Sequence, residues 1–207
     1  MAIIVTIGRQ YGSGGLDVGK KIAEAFDIPF YDKDLVEMAA DKSNISKDTV
    51  KHIDERATNS FLYSLVSGHY SVGSNMAHYE MPINDKLFIH QSEVIKEVAQ
   101  KGSCVIVGRC ADYVLRDVPG VEVCSIFVCG GLDYRAKRVM EAYPELNQAR
   151  ARDKVIKTDK QRRTYYDYYS DHDWGVTSNY DICLNTEKLG IDAAADMVIS
   201  YLKGKIK

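Results

Sequence analysis

The sequence predicts a doubly wound α/β fold built on a parallel sheet, and three observations predict it. Four short apolar runs, residues 3–7, 103–107, 122–129 and 180–184, are rich in β-formers. Runs of that length without polar alternation suit strands covered on both faces, as parallel strands are. Helical stripes separate the runs, so strand and helix alternate along the chain. Finally, a glycine-rich stretch, Gly8-Arg9-Gln10-Tyr11-Gly12-Ser13-Gly14-Gly15, joins the first run to the first stripe.

Taken in order, residues 3–7 are the first strand. Gly19, Ile22, Ala23 and Phe26 then share one helical face, and a short strand is expected at 28–31. A longer stripe of Leu87, Phe88, Gln91, Val94, Ile95 and Val98 leads into the strand at 103–107. Ile191, Ala194, Ala195, Val198 and Leu202 make the last helix, with Asn185 and Thr186 as turn chemistry before it. Two stretches break the alternation. Residues 41–82 hold helical segments and a loop-like run at 67–74, Ser67-Gly68-His69-Tyr70-Ser71-Val72-Gly73-Ser74. Residues 144–175 are polar, basic and aromatic with weak core periodicity. Both read as inserts over one core made of residues 1–40, 83–143 and 176–207.

Composition removes several function classes. With 27 basic against 29 acidic residues the net charge is -2, which gives no global attraction for nucleic acid or an anionic membrane. No run of 18 apolar residues is present, nor a basic-then-apolar leader, so the expectation is a cytoplasmic chain with no membrane partner. The five cysteines, Cys104, Cys110, Cys124, Cys129 and Cys183, form no CxxC pair. They are expected to be reduced thiols rather than zinc ligands. His52, His69, His78, His90 and His172 have no ligand-like spacing, and no serine sits in a recognisable His/Asp set. Any affinity for phosphate must come from local arginines.

The glycine stretch is the strongest local signal. Glycines permit positive φ and let backbone amides converge on an anion, and the following helix N-terminus adds its own free amides. Gly12, Ser13, Gly14 and Gly15 are therefore candidate phosphate-binding residues. A dinucleotide fingerprint fails because Asp17 stands where its third glycine belongs. A literal GxxxxGK match through Gly14, Gly19 and Lys20 puts the lysine about a turn too far into the helix. Aligned by position after the strand, Gly15 holds the lysine position of a Walker loop and Leu16 the Ser/Thr position. Arg9 could replace the lysine's charge, and Asp17 could hold magnesium through water.

Ordered segments carry a resemblance across nearly the whole chain. Val5 through Gly15 resembles the opening of the cytidylate kinase-like family. Phe30-Tyr31-Asp32-Lys33-Asp34-Leu35, Val105-Ile106-Val107-Gly108-Arg109-Cys110-Ala111-Asp112 and Asp133-Tyr134-Arg135-Ala136-Lys137-Arg138 resemble later family segments in the same order. So do Lys157-Thr158-Asp159-Lys160 with Arg162, Arg163, Tyr165 and Tyr166, then Trp174-Gly175 and Asn179-Tyr180-Asp181. The resemblance implies a P-loop nucleoside monophosphate kinase fold with a core, an acceptor-binding insert (41–82) and a helical lid (144–175). It also implies phosphoryl transfer from ATP, with Mg2+, to a small-molecule nucleotide such as CMP or dCMP. The sequence departs from the family where cytidylate kinases carry an acceptor arginine, since Lys33, Glu37 and Met38 occupy that region.

Phosphoryl transfer needs charge screening and positioning more than covalent chemistry, and arginine suits both. Arg109 ends a buried strand, at the sheet edge where open α/β folds bind ligands. The resemblance makes it an acceptor-phosphate residue, with Asp32 and Asp112 near it; an ion pair of Arg109 with either aspartate is the structural alternative. Asp32 is also read as a group orienting magnesium or the acceptor, or as a helix cap beside Asp34. Arg135, Arg138, Arg150, Arg152, Arg162 and Arg163 cluster around the lid, where related kinases close arginines over the transferring group. Arg135, Arg138, Arg162 and Arg163 are the candidates among them, against a solvated basic face. The run Tyr165-Tyr166-Asp167-Tyr168-Tyr169 reads as lid packing or base stacking. Three functions stay open: the nucleotide kinase, a kinase for another small acceptor, and a nucleotide binder that lost transfer with Gly15 and Leu16.

Overall fold

Strand β1 (Ala2–Arg9) is the middle strand of a five-stranded sheet, because Ile3-Ile4-Val5-Thr6-Ile7 offers water no polar face. Ile4, Val5 and Ile7 are fully buried. The computed structural model describes residues 1–43 and 82–206 and divides into two units, residues 1–32 with 96–207, and residues 33–95.

In the first unit, β2 (Phe30–Tyr31), β3 (Cys104–Val107), β4 (Val121–Cys129) and β5 (Ile182–Asn185) join β1 in the order β2-β3-β1-β4-β5, every pair parallel. Ile7 lies opposite Val107 on one side and Ile126 on the other. That register brings Gly8-Arg9 and Gly108-Arg109 out of the sheet side by side, and the Gly108 amide donates to the Ile7 carbonyl at 2.9 Å.

One face of the sheet is covered by α1 (Gly15–Phe26) and α8 (Ile191–Leu202). Val18, Ile22, Ala194, Val198 and Leu202 interlock there with Ile3, Val5, Ile7, Val105, Ile126 and Val128. Gly19 lets α1 come close, since a Cβ there would stand 2.8 Å from Ile7 Cδ1. Elsewhere, Phe127 stacks at a tilt on Tyr180 and edge-on to Trp174. Helices α5 (Leu132–Ala142) and α6 (Gln148–Tyr169) pack through Ala136, Val139, Ala151 and Val155. The short α4 (Ala111–Leu115) follows β3, and α7 (Thr186–Leu189) follows β5, capped by the Asn185 side chain, which accepts from Glu187 N–H at 3.1 Å.

The expected strands all form, each within about two residues of its expected bounds. Most of the stretch 144–175, where core periodicity is weak, is the 22-residue helix α6. Its periodicity is faint because only Ala151, Val155 and Tyr166 are buried, and polar anchors do the rest.

The second unit holds α2 (Asp34–Ser43), burying Leu35, Val36, Ala39 and Ala40, and most of α3 (Ile83–Lys101). Residues 44–81, which carry nearly all the expected acceptor insert, the run at 67–74 and His52, His69 and His78, lie outside the described residues. No described helix is long and apolar enough to cross a membrane.

Candidate functional site

The glycine stretch folds as a loop from the end of β1 to the start of α1. Gly12 and Gly14 hold φ of 78° and 81°, which an L side chain adopts only with strain. A Cβ at Gly12 would stand 2.6 Å from the Arg135 carbonyl oxygen, so loop and α5 touch backbone to backbone. Ser13 is buried, its hydroxyl donating to the Gln10 carbonyl at 2.8 Å, which closes the turn. Gln10 in turn accepts from Gly130 N–H at 3.1 Å, tying the loop to the end of β4. Gly14 caps α1 without any side-chain acceptor, leaving the amides of Gly15, Leu16 and Asp17 without an intrahelical partner. This end of the helix is built to receive an anion.

Beside the loop, β3 ends in three consecutive residues of left-handed backbone: Gly108 (φ 73°), Arg109 (φ 63°) and Cys110 (φ 53°). Two of them are not glycine, a strain that folds retain where it aims a functional side chain. The guanidinium of Arg9 lies against this turn, its Nη2 3.6 Å from Asp32 Oδ1 at the end of β2. Arg9, Asp32 and Arg109 thus leave three adjacent strands at their carboxyl ends.

Helix α6 delivers Arg162 to the same place. Its Nη1 donates to the Arg9 carbonyl at 2.9 Å, and its guanidinium lies 5.4 Å from the Tyr11 ring centre. Burial pulls the Arg162 guanidinium below its ordinary value; Asp159, Tyr11 and Asp32 oppose that, and Arg109 adds to it. Arg109 therefore lies within electrostatic range of Arg162. Burial, with help from Tyr143, pushes the Tyr11 hydroxyl up to about 12, so the loop tip carries no negative charge at neutral pH.

The other expected residues are placed as follows. Arg135 is buried, bonding the Gly130 carbonyl at 2.8 Å and the Tyr11 carbonyl at 3.2 Å and pairing with Asp159. Arg138 Nη2 pairs with Asp17 Oδ2 at 2.8 Å, so the two candidates meet each other. Arg163 is exposed at 5.9 Å from the Trp174 ring, and Arg152 pairs with Asp133 on the surface. Asp112 accepts from Tyr166 O–H at 2.6 Å. Tyr165 and Tyr169 meet each other, 4.9 Å between ring centres, while Tyr166 is the buried member of the run. Lys20 is exposed, and Gly19 is a packing glycine.

Two residues that the sequence reading missed complete the site. Asp159 accepts from Tyr11 N–H at 2.7 Å and pairs with Arg135. Its signal is a carboxylate set among Lys157, Lys160, Arg162 and Arg163. Buried Thr186 donates to the Ser13 carbonyl at 2.6 Å and lies 3.2 Å from the Cys129 carbonyl. It had been noted only as turn chemistry.

The residues fit nucleotide phosphates: positive-φ glycines, a helix start with no side-chain cap, and arginines around it. For magnesium the donor set is thinner. Leu16 offers no oxygen, and Asp17 and Asp32 each face an arginine already. No group of three metal-binding side chains occurs among the described residues.

A parallel sheet in this order, with a glycine loop running from its central strand into a helix and arginines at the carboxyl edge, defines a P-loop kinase fold. The chain belongs to the cytidylate kinase-like family, whose model matches residues 4–188. It is similar to an uncharacterized protein from Eubacterium ventriosum ATCC 27560, 32% identical with TM-score 0.70, covering 97% of this chain and 98% of that one. The fold is shared with shikimate kinase from Bacteroides thetaiotaomicron, 11% identical with TM-score 0.52, covering 98% of this chain and 99% of that one. It is shared as well with a sugar kinase from Janibacter sp. HTCC2649, 10% identical with TM-score 0.52, covering 98% and 95%. No curated protein matches the chain.

Proposed function

We propose that this protein is a cytoplasmic phosphotransferase that moves the γ-phosphoryl group of ATP to a small acceptor, a (deoxy)cytidine or other nucleoside monophosphate. One observation carries the reading. Arg9, Arg109 and Arg162 converge beside an anion-ready glycine loop in a chain whose net charge is -2. Like charges gathered at a helix start favour a polyanion between them.

On this reading the amides of Gly12 to Gly15 hold the donor phosphates and Arg109, with Asp32 and Asp112 near it, holds the acceptor phosphate. Arg135 and Arg138 act as positioning residues, through the loop and through Asp17. Residues 41–82 form the acceptor insert and 144–175 the lid, with Arg162 and Arg163 on its helix. An ionised oxygen of the acceptor phosphate attacks the γ-phosphorus. The bond to the β–γ bridging oxygen breaks, and ADP leaves with the electron pair, so no protein base is needed. Magnesium bound with ATP would supply further neutralisation of phosphate charge, and Asp17 or Asp32 could reach its waters only by sharing the carboxylate with Arg138 or Arg9.

The test is product formation from ATP and magnesium across CMP, dCMP, UMP and AMP, with shikimate and glucose as non-nucleotide acceptors. Turnover on CMP or dCMP that collapses in Arg109→Ala is the expected result. Turnover on shikimate or glucose alone keeps phosphoryl transfer and refutes the acceptor. The bare positions Gly15 and Leu16 favour a second reading, a nucleotide binder without transfer. ATP binding with no product from any acceptor would establish it.

A further inference from the structure

We infer that Arg9 binds the β- and γ-phosphates of the nucleotide in place of a lysine at position 15, reaching them from the strand side of the loop. The inference rests on the nucleotide-binding reading of that loop and adds the residue on which its affinity depends.

Position 15 opens α1, where a P-loop lysine would extend toward phosphate. Gly15 is buried and is not among the positive-φ residues, so its backbone does not demand glycine. Space does. A Cβ at Gly15 would stand 2.6 Å from Arg9 Cβ, 3.2 Å from Arg9 Cγ and 3.3 Å from Val128 Cβ. Side chains at positions 9 and 15 therefore compete for one volume, and this chain fills it from position 9.

The far end of Arg9 passes a second glycine. A Cβ at Gly108 would stand 1.9 Å from Arg9 Nη1 and 3.0 Å from Cζ. The left-handed backbone alone does not select glycine in this turn, because Arg109 and Cys110 share it. Two bare positions thus flank the path of one side chain, from the start of α1 to the turn that carries Arg109. The guanidinium ends 3.6 Å from Asp32 Oδ1, with the two side chains 19% and 20% exposed. Asp32 steadies the guanidinium at the carboxyl edge of the sheet. Arg162 holds the other end by donating to the Arg9 carbonyl. A guanidinium keeps its charge at any working pH and grips two phosphate oxygens through a planar fork that a lysine lacks.

The experiment is calorimetric titration of ATP with magnesium, and of adenosine, into the native chain and four variants. These are Arg9→Met, which keeps the stem and removes the charge, Arg9→Gly, Gly15→Lys, and the exchange Arg9→Gly/Gly15→Lys. Melting curves identify the folded variants. The native chain is expected to bind ATP and Arg9→Met to bind it roughly tenfold or more weakly, the worth of a charge-assisted hydrogen bond. Adenosine binding should be unchanged. Gly15→Lys alone should weaken ATP, because the new side chain meets Arg9, and the exchange should recover most of what Arg9→Gly loses. ATP binding by Arg9→Met within twofold of native overturns the inference even if Arg9→Gly fails to fold. So does a folded exchange variant no better than Arg9→Gly. A native chain that binds no ATP refutes the nucleotide reading itself, and this inference with it, before any substitution is compared.

Discussion

The backbone amide of Tyr11 donates to the Asp159 carboxylate at 2.7 Å, joining residues 148 positions apart. The same carboxylate neutralises Arg135, which is 7% exposed and bonds the Gly130 and Tyr11 carbonyls. One acidic side chain on α6 therefore sets the tip of the glycine loop and balances a buried guanidinium. Removing it leaves the charge uncompensated, which costs about 3–5 kcal/mol for a buried pair. Asp159→Ala is expected to lose that much stability in urea denaturation. Asp159→Asn loses the same charge but keeps an oxygen for Tyr11, so its loss should be smaller than that of alanine by roughly 1 kcal/mol, the worth of one hydrogen bond. Equal losses in the two variants would mean that the oxygen offered to Tyr11 adds nothing beyond the charge of Asp159.

Gly12 tests how tightly the loop is built against α5. It combines φ 78° with a Cβ position 2.6 Å from the Arg135 carbonyl oxygen. Gly120 has nearly the same φ, 80°, but open space around it. Gly120→Ala should cost only the left-handed strain, about 1–2 kcal/mol. Gly12→Ala should cost that plus about 1–3 kcal/mol for overpacking, and should weaken ATP binding. The difference between the two, read by urea denaturation, isolates the contact. Matching losses would show that α5 yields freely.

What the sequence revealed and what it hid divide along physical lines. The strands were legible because β1 and β3 are buried on both faces, so their apolar runs are continuous. The place of Arg109 just after β3 was legible because the apolar run stops there, and Asn185 because its capping chemistry is local. Arg135 and Arg138 looked like mobile lid arginines, yet one bonds the Tyr11 carbonyl 124 residues away and the other Asp17 121 residues away. Periodicity holds no record of polar pairs at such separations. Helix α6 was obscured for the same reason: it is fixed through Asp159 and Arg162 more than through an apolar stripe.

Thr186 fastens the loop from its other side. Its hydroxyl donates to the Ser13 carbonyl at 2.6 Å, and both residues are buried. Thr186→Val keeps the shape and removes the donor, leaving a buried carbonyl unsatisfied, which costs about 1–3 kcal/mol. Thr186→Ser restores the hydroxyl and should recover most of that loss. The loop amides should also exchange faster with deuterium in the valine variant alone. Unchanged exchange would confine Thr186 to local capping.

Asp112 gives the stability a pH dependence whose sign can be worked out. Burial raises its carboxyl above the ordinary range, partly offset by the Tyr166 hydroxyl donating at 2.6 Å and by His172. A raised carboxyl favours the protonated form in the folded state. Its contribution is therefore fully present below the unfolded value near 4 and is lost as pH rises through the folded value. Above the folded value the native chain carries an ionised Asp112 that burial disfavours. Asp112→Asn removes that cost while leaving an oxygen for Tyr166. The variant should be more stable than the native chain at neutral pH, a gap that closes toward about pH 4. Tyr166→Phe should shift the native chain the other way, because the carboxylate loses the donor that holds its ionised form. Urea denaturation across the acid-to-neutral range measures both. A gap between Asp112→Asn and native that widens as pH falls would mean that Tyr166 and His172 outweigh burial at this site.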